Sequence, residues 1–155
     1  MATSSILCQL NGGCMGCCGH NFFSSQKIEE AINENSREFR FLHPQTREEL
    51  VKFRERFPKT CLHEGVCYNL VRKNGQILCP LHPSLNNGKD LRERHCDIDH
   101  LCDTAVQFNS WNNEKQTQFL LFLETKKLDN IGYSLMIGNN SLLMEFNELK
   151  ISKNI

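Results

Sequence analysis

Three cysteines stand within five positions, at residues 14, 17 and 18 of the stretch GGCMGCCGH, and six more are spread over residues 8–102. No other feature constrains the fold as much, because thiols held this close together serve as disulfides, as redox pairs or as metal ligands. Nine is an odd number, so pairing into disulfides leaves one thiol over. The opening MATSSILCQLNGG has no early Lys or Arg and too short an apolar run for a secretory leader. No apolar stretch approaches the roughly 20 residues that cross a bilayer. The expectation is a soluble, cytoplasmic protein with no membrane partner, in which a reducing environment keeps pairs as dithiols and clustered thiols bind metal ions.

Composition leaves room for an ordinary core. A chain of 155 residues, 39% hydrophobic with ten phenylalanines, is the usual size of one domain, so a metal would supplement packing and need not replace it. Lys plus Arg equals Asp plus Glu at 18 each, which gives no net field to gather nucleic acid and argues against that partner. The densest basic run, Lys89, Arg92 and Arg94 with His95, is interleaved with Asp90, Glu93 and Asp97 and reads as a solvated face or turn.

Residues 1–20 read as an irregular Cys/Gly loop. Ile28, Ala31, Ile32 and Phe39 behind Ser24 or Ser25 predict a helix over 25–39. Thr46 with Glu49 forms a capping-box pattern that opens a helix over 47–57, stopped by Pro58. Asn74-Gly75, between two β-favouring runs, predicts a hairpin with strands over 66–73 and 76–79. Residues 79–96 are rich in Pro, Asn and Gly and read as a loop. Ile98, Leu101, Cys102, Ala105 and Phe108 fall on one helical face behind Asp97 or Asp99, giving a helix that ends near Trp111. Another starts behind Asn112 or Asn113 and closes with Lys126 and Lys127, while the tail IGYSLMIGNNSLLMEF is either a hairpin around 138–140 or a short helix pair. The expected fold is α+β and mostly α-helical: a small, metal-organised single domain over 1–155. It has one central β-hairpin, four main helices and a helical carboxy-terminal portion from about 97.

The candidate metal ligands are Cys14, Cys17, Cys18, Cys67, Cys79, Cys96, Cys102, Cys61, His82 and Cys8. Cys14-x-x-Cys17 has the spacing of a metal knuckle, with Gly16 in the turn. Cys67 and Cys79 flank the predicted hairpin, and a turn centred on Asn74-Gly75 pairs 70 with 79 and brings His82 near Cys67. Cys96 and Cys102 would face one metal from the start and second turn of the helix behind Asp97. His20, His63, His95 and His100 are weaker candidates, and His43 is a turn residue. A small core hydrophobe is the competing reading of Cys102 and of Cys61. Eight thiolates suffice for two four-coordinate sites or one larger cluster. Cys17 and Cys18, pointing different ways from consecutive residues, would serve two sites or bridge two ions.

The stretches CMGCC at 14–18, GVCYNL at 65–70, CPLHP at 79–83 and HCDIDHLC at 95–102 resemble the YkgJ-type cysteine-cluster family, described as zinc- or iron-chelating. The chain departs from the family pattern in having only Cys8 ahead of Cys14, and LRERHCD where Arg-Pro and Cys-Arg are usual. The resemblance implies a centre holding Zn2+ or Fe, including an iron-sulfur cluster, and it delivers no reaction. Metal binding by clustered Cys, with or without His, is therefore the leading function. An iron-sulfur or metal-dependent oxidoreductase or modifying enzyme is the alternative, with His82, His63 or His100 at an open position and Glu64 or Asp99 as base. No catalytic residue, nucleophile pair or phosphate loop is identifiable, so enzyme status stays open. A zinc-stapled interaction module is the third reading, using Phe22, Phe23 and residues 39–42 on an unidentified protein partner.

Overall fold

The computed structural model describes residues 5–153, with side chains through residue 149, so the first four residues of the amino-terminal loop reading lie outside the described residues. The chain forms two compact units. Residues 18–100 make one, called here the hairpin unit. The other, the helical unit, joins the residues before Cys18 to those after His100.

In the hairpin unit, helix α1 spans Ser25–Leu42 and starts where Ser24 Oγ accepts the Lys27 N–H at 3.2 Å. Helix α2 spans Arg47–Arg54, and Thr46 Oγ1 accepts the Glu49 N–H at 3.1 Å. The Glu49 carboxylate reaches back to the Gln45 N–H, one residue before the position a capping box uses. Strand β1, Leu62–His63, pairs antiparallel with β2, Val66–Cys67, and β3, Val71–Lys73, pairs with β4, Gln76–Leu78. The β3–β4 turn is the expected one, with Asn74 and Gly75 at φ 53° and 78°. Glu64 and Gly65 make a second turn with both central residues at positive φ, and this hairpin was not predicted.

The strand expected over 66–73 is two strands, because residues 68–70 turn instead. Leu70 N–H donates to Cys67 O, and the Asn35 side-chain amide donates to both Cys67 O and Leu70 O at 3.0 Å. Asn35 lies on the stripe Ile28, Ala31, Ile32, Asn35 and Ser36, which recurs at helical spacing, is buried throughout and packs α1 against β3. Ser36 Oγ accepts the Arg72 N–H at 2.8 Å, a second tie from α1 to that strand. Phe39 meets the buried Phe53 of α2 edge-on, with ring centroids 5.1 Å apart.

In the helical unit, a 3-10 segment over Ile6–Gly12 precedes α3, Asp103–Ser110, α4, Asn113–Lys126, α5, Asn130–Gly138, and α6, Ser141–Lys153. The described residues thus hold six α-helices and two hairpins, where four main helices and one hairpin were expected. They are α+β and mostly helical. Helix α3 begins at Asp103 and not behind Asp97, because the Asp97 carboxylate accepts the Asp99 N–H at 3.2 Å and closes a local turn. The tail is the helix pair, with Asp129 capping α5 through the Gly132 N–H at 2.7 Å. Phe119 packs edge-on against Trp111 and Phe146, at 5.5 and 5.0 Å, in the middle of the core. Tyr133 is fully buried, and its hydroxyl donates to Leu7 O at 2.6 Å. Among the described residues no helix is long and apolar enough to cross a membrane.

The Asn35 clamp generates a stability prediction. Asn35→Ala removes the side-chain donor of Leu70 O and one of the two donors of Cys67 O, in a site that is 1% exposed, and should cost about 2 kcal/mol. Phe41→Ser, at a side chain 87% exposed, should stay within about 0.5 kcal/mol. Urea denaturation of the two variants checks this, and equal midpoints would show that the clamp carries no weight.

Candidate functional site

The cysteines of each unit gather around its backbone turns. In the hairpin unit, Cys67 N–H donates to Cys18 O and His20 N–H to Gly65 O, both at 2.9 Å, and Gly19 bridges Val66 in antiparallel fashion. Cys18 is therefore set beside Cys67 on adjoining backbone segments. The approach requires glycine: Gly19 has φ 134°, and a Cβ there would lie 2.0 Å from Gly65 O. Cys79 directly follows β4, and Cys96 closes a turn in which its N–H donates to Arg92 O.

Burial pushes the Cys79 thiol up to about 12, with the charges of Cys67 and Cys96 adding to the effect. Burial likewise raises Cys96, ahead of its coupling to Cys67, and burial raises Cys67 itself. Cations oppose the shift, Arg92 at Cys79 and Cys96 and Arg56 at Cys67. Arg92 is held by a two-pronged pair with Asp90 at 2.9 and 2.8 Å.

A second group forms in the helical unit. Cys14 N–H donates to Cys8 O at 2.9 Å, and Gly16 N–H donates to Cys14 Sγ at 3.5 Å. The buried Met15 donates its N–H to Ser134 Oγ at 2.9 Å, which fixes the Cys14–Cys17 turn on α5. Cys102 is the N-cap of α3, and both it and Cys14 pack on the same apolar core. Burial raises the Cys8 and Cys14 thiols, and each also feels Cys102. Burial drives the Tyr133 phenol far above its ordinary value, and the charges of Cys14, Cys8 and Cys102 add to the effect.

Other expected ligands stand apart. Cys61 is exposed, on the turn where its N–H donates to Pro58 O. His82 Nδ1 caps the turn at Pro83–Leu85 by accepting the Ser84 N–H at 3.1 Å, and burial lowers its pKa, with the charge of Arg92 adding to the effect. His63 Nε2 pairs with Glu34 at 3.0 Å, His95 Nε2 lies 2.9 Å from Asn69 Nδ2, and His20 and His100 are exposed. Cys96 and Cys102 do not share a helix, and they fall in different units. Sequence reasoning missed Arg92, Arg56, Tyr133 and Ser134 as neighbours of the thiols, and no local signal in the sequence marks them. Of the aromatic segment, Phe39 is packed on α2, whereas Phe41 and Leu42 are exposed.

None of the nine cysteines is in a disulfide. Among the described residues, no three Cys, His, Asp or Glu side chains are drawn closely enough together to hold an ion as they stand. The donor chemistry of clustered thiols suits a thiophilic metal. No family model matches the chain, and neither does any curated protein or solved structure.

Glycine replacements separate the close approach beside Cys18 from an ordinary turn. Gly75→Ala meets open space and should cost only its positive-φ strain, about 1–2 kcal/mol. Gly19→Ala adds overlap with backbone and should cost more than about 3 kcal/mol. Chemical denaturation of both variants tests this, and a Gly19→Ala protein as stable as Gly75→Ala would contradict the geometry.

Proposed function

We propose that the protein binds Zn2+ or iron through cysteine thiolates, and that Cys18, Cys67, Cys79 and Cys96 form its ligand set in the hairpin unit. The observation that carries this is the backbone pairing that sets Cys18 beside Cys67 at 2.9 Å, with Cys79 directly behind β4 and Cys96 closing a turn of the same unit. A single buried thiol is an adequate small hydrophobe. Several together gain nothing as thiolates, because each raises the cost of ionising the next. A divalent cation reverses that sign, since a coordinating thiol is deprotonated outright.

The resemblance to a zinc- and iron-chelating family rests on these same cysteines and supports the reading. Zinc held by four thiolates acts as a structural staple, and iron in such a set brings electron transfer. The chain's own contribution would be to hold the sulfurs on short turns and to place Arg92 and Arg56 where they offset the surplus negative charge. The role requires a reducing compartment such as the cytoplasm, which keeps the thiols unbridged.

Elemental analysis and absorption spectra of anaerobically purified protein test the proposal. Bound zinc without colour, or iron with a visible charge-transfer band, is expected. Chelation should cost at least about 3 kcal/mol, or about 6–12 °C in melting temperature at this chain length. Cys79→Ala should lose metal, whereas Cys61→Ala should keep it. A protein that carries no metal and melts unchanged in chelator would refute the proposal.

A further inference from the structure

We infer that the helical unit has a metal site of its own, formed by Cys8, Cys14, Cys17 and Cys102, so that eight of the nine cysteines divide four and four. The inference rests on the proposed use of thiolates as metal ligands and adds where the second ion goes and which sulfurs take it.

The backbone gathers these residues. The 3-10 segment that carries Cys8 folds back so that Cys14 N–H reaches Cys8 O at 2.9 Å. The Cys14-Met15-Gly16-Cys17 turn is pinned by Met15 N–H on Ser134 Oγ at 2.9 Å and by a tight seat for Gly16, where a Cβ would meet Ser134 O at 3.0 Å. Within that turn the Gly16 amide already donates to Cys14 Sγ at 3.5 Å, the kind of hydrogen bond that supports a metal-bound sulfur. Cys102 arrives from the start of the unit's second segment at the N-cap of α3, the end of a helix dipole that favours a negative group. It packs on the same core as Cys14, and Tyr133 of that core donates its hydroxyl to the carbonyl of Leu7, the residue before Cys8, at 2.6 Å.

The two sets do not share members. Cys17 closes the helical unit's first segment and Cys18 opens the hairpin unit, while Cys96 lies before and Cys102 after the second crossing at His100–Leu101. Each unit therefore holds four cysteines from the cluster, and Cys61, exposed on its turn, belongs to neither set.

Anaerobic titration of the full-length chain with Co2+ tests the inference, since thiolate-to-cobalt charge-transfer absorption reports sulfur ligation. Cys102→Ala and Cys17→Ala should each halve the Co2+ held at saturation, and Cys79→Ala should halve it as well. Combining Cys17→Ala with Cys79→Ala should abolish it. Cys17 is exposed, so its replacement removes a ligand without opening the core, and circular dichroism confirms that the variant is folded. If Cys17→Ala and Cys102→Ala bind as much Co2+ as the wild type while Cys79→Ala abolishes binding, the second site is wrong and the proposed function stands. If either helical-unit replacement abolishes all binding, a single shared cluster replaces the divided one. If the wild type takes up no Co2+, the proposed function fails and the second site falls with it.

Discussion

The hairpin unit depends on two backbone segments coming closer than side chains allow. Residues 18–20 run beside residues 65–67 with two hydrogen bonds of 2.9 Å, and a Cβ on Gly65 would stand 2.7 Å from His20 O, as one on Gly19 would overlap Gly65 O. This pairing fixes Cys67, whose carbonyl then accepts from Asn35, and Asn35 in turn holds Leu70 O and the turn between the two hairpins. Helix α1 docks through the same residue, and Ser36 one position on receives the first strand of the next hairpin. Each bond is worth only about 1 kcal/mol net. Their joint effect is larger, because each buried polar group left without its partner would cost about 1–3 kcal/mol.

The thiols occupy this frame under a different constraint. Moving Cys79 from its ordinary value of 9.0 to about 12 corresponds to about 4 kcal/mol against the thiolate. Arg92 only partly relieves this, since its guanidinium is already committed to Asp90. Without a further cation the raised thiols stay neutral, whereas a coordinating cation would favour their thiolates. The same side chains thus suit a closed core and a metal site, which is why packing on the core does not argue against Cys14 or Cys102 as ligands.

Much of the local structure was legible because it is fixed by short-range chemistry. Ser24, Thr46 and Asn112 each cap the helix expected behind them, and Asn74-Gly75 sets its turn by the positive φ that both residues tolerate. Errors arose where a residue had two local uses or a distant partner. Asp97 serves equally well as a helix cap or as the acceptor of a turn, and the apolar spacing from Ile98 to Phe108 ran a helical period through that turn. The break in the strand at 68–70 depends on Asn35, more than thirty positions away. In IGYSLMIG the apolar residues leave no polar face, so periodicity is silent and only the Asp129 cap marks the helix. For the candidate site, the identity of the cysteines was plain in the sequence. Their division between the two units was not, because Cys102 joins Cys14 on one core only through the folding of the helical unit.

The adjacent pair Cys17-Cys18 now has a reason beyond proximity. Glycine stands on both sides of it, close to different partners: a Cβ on Gly16 would lie 3.0 Å from Ser134 O in the helical unit, and one on Gly19 would overlap Gly65 O in the hairpin unit. The chain passes from one unit to the next in a single peptide bond, and each cysteine is anchored by a close backbone contact within its own unit. Cys17 ends a turn of the helical unit and Cys18 opens a bend of the hairpin unit, so the pair divides between the two units. A spacer between them would be needed for a single knuckle, and the sequence supplies that spacer where it is used, as Met15-Gly16 between Cys14 and Cys17.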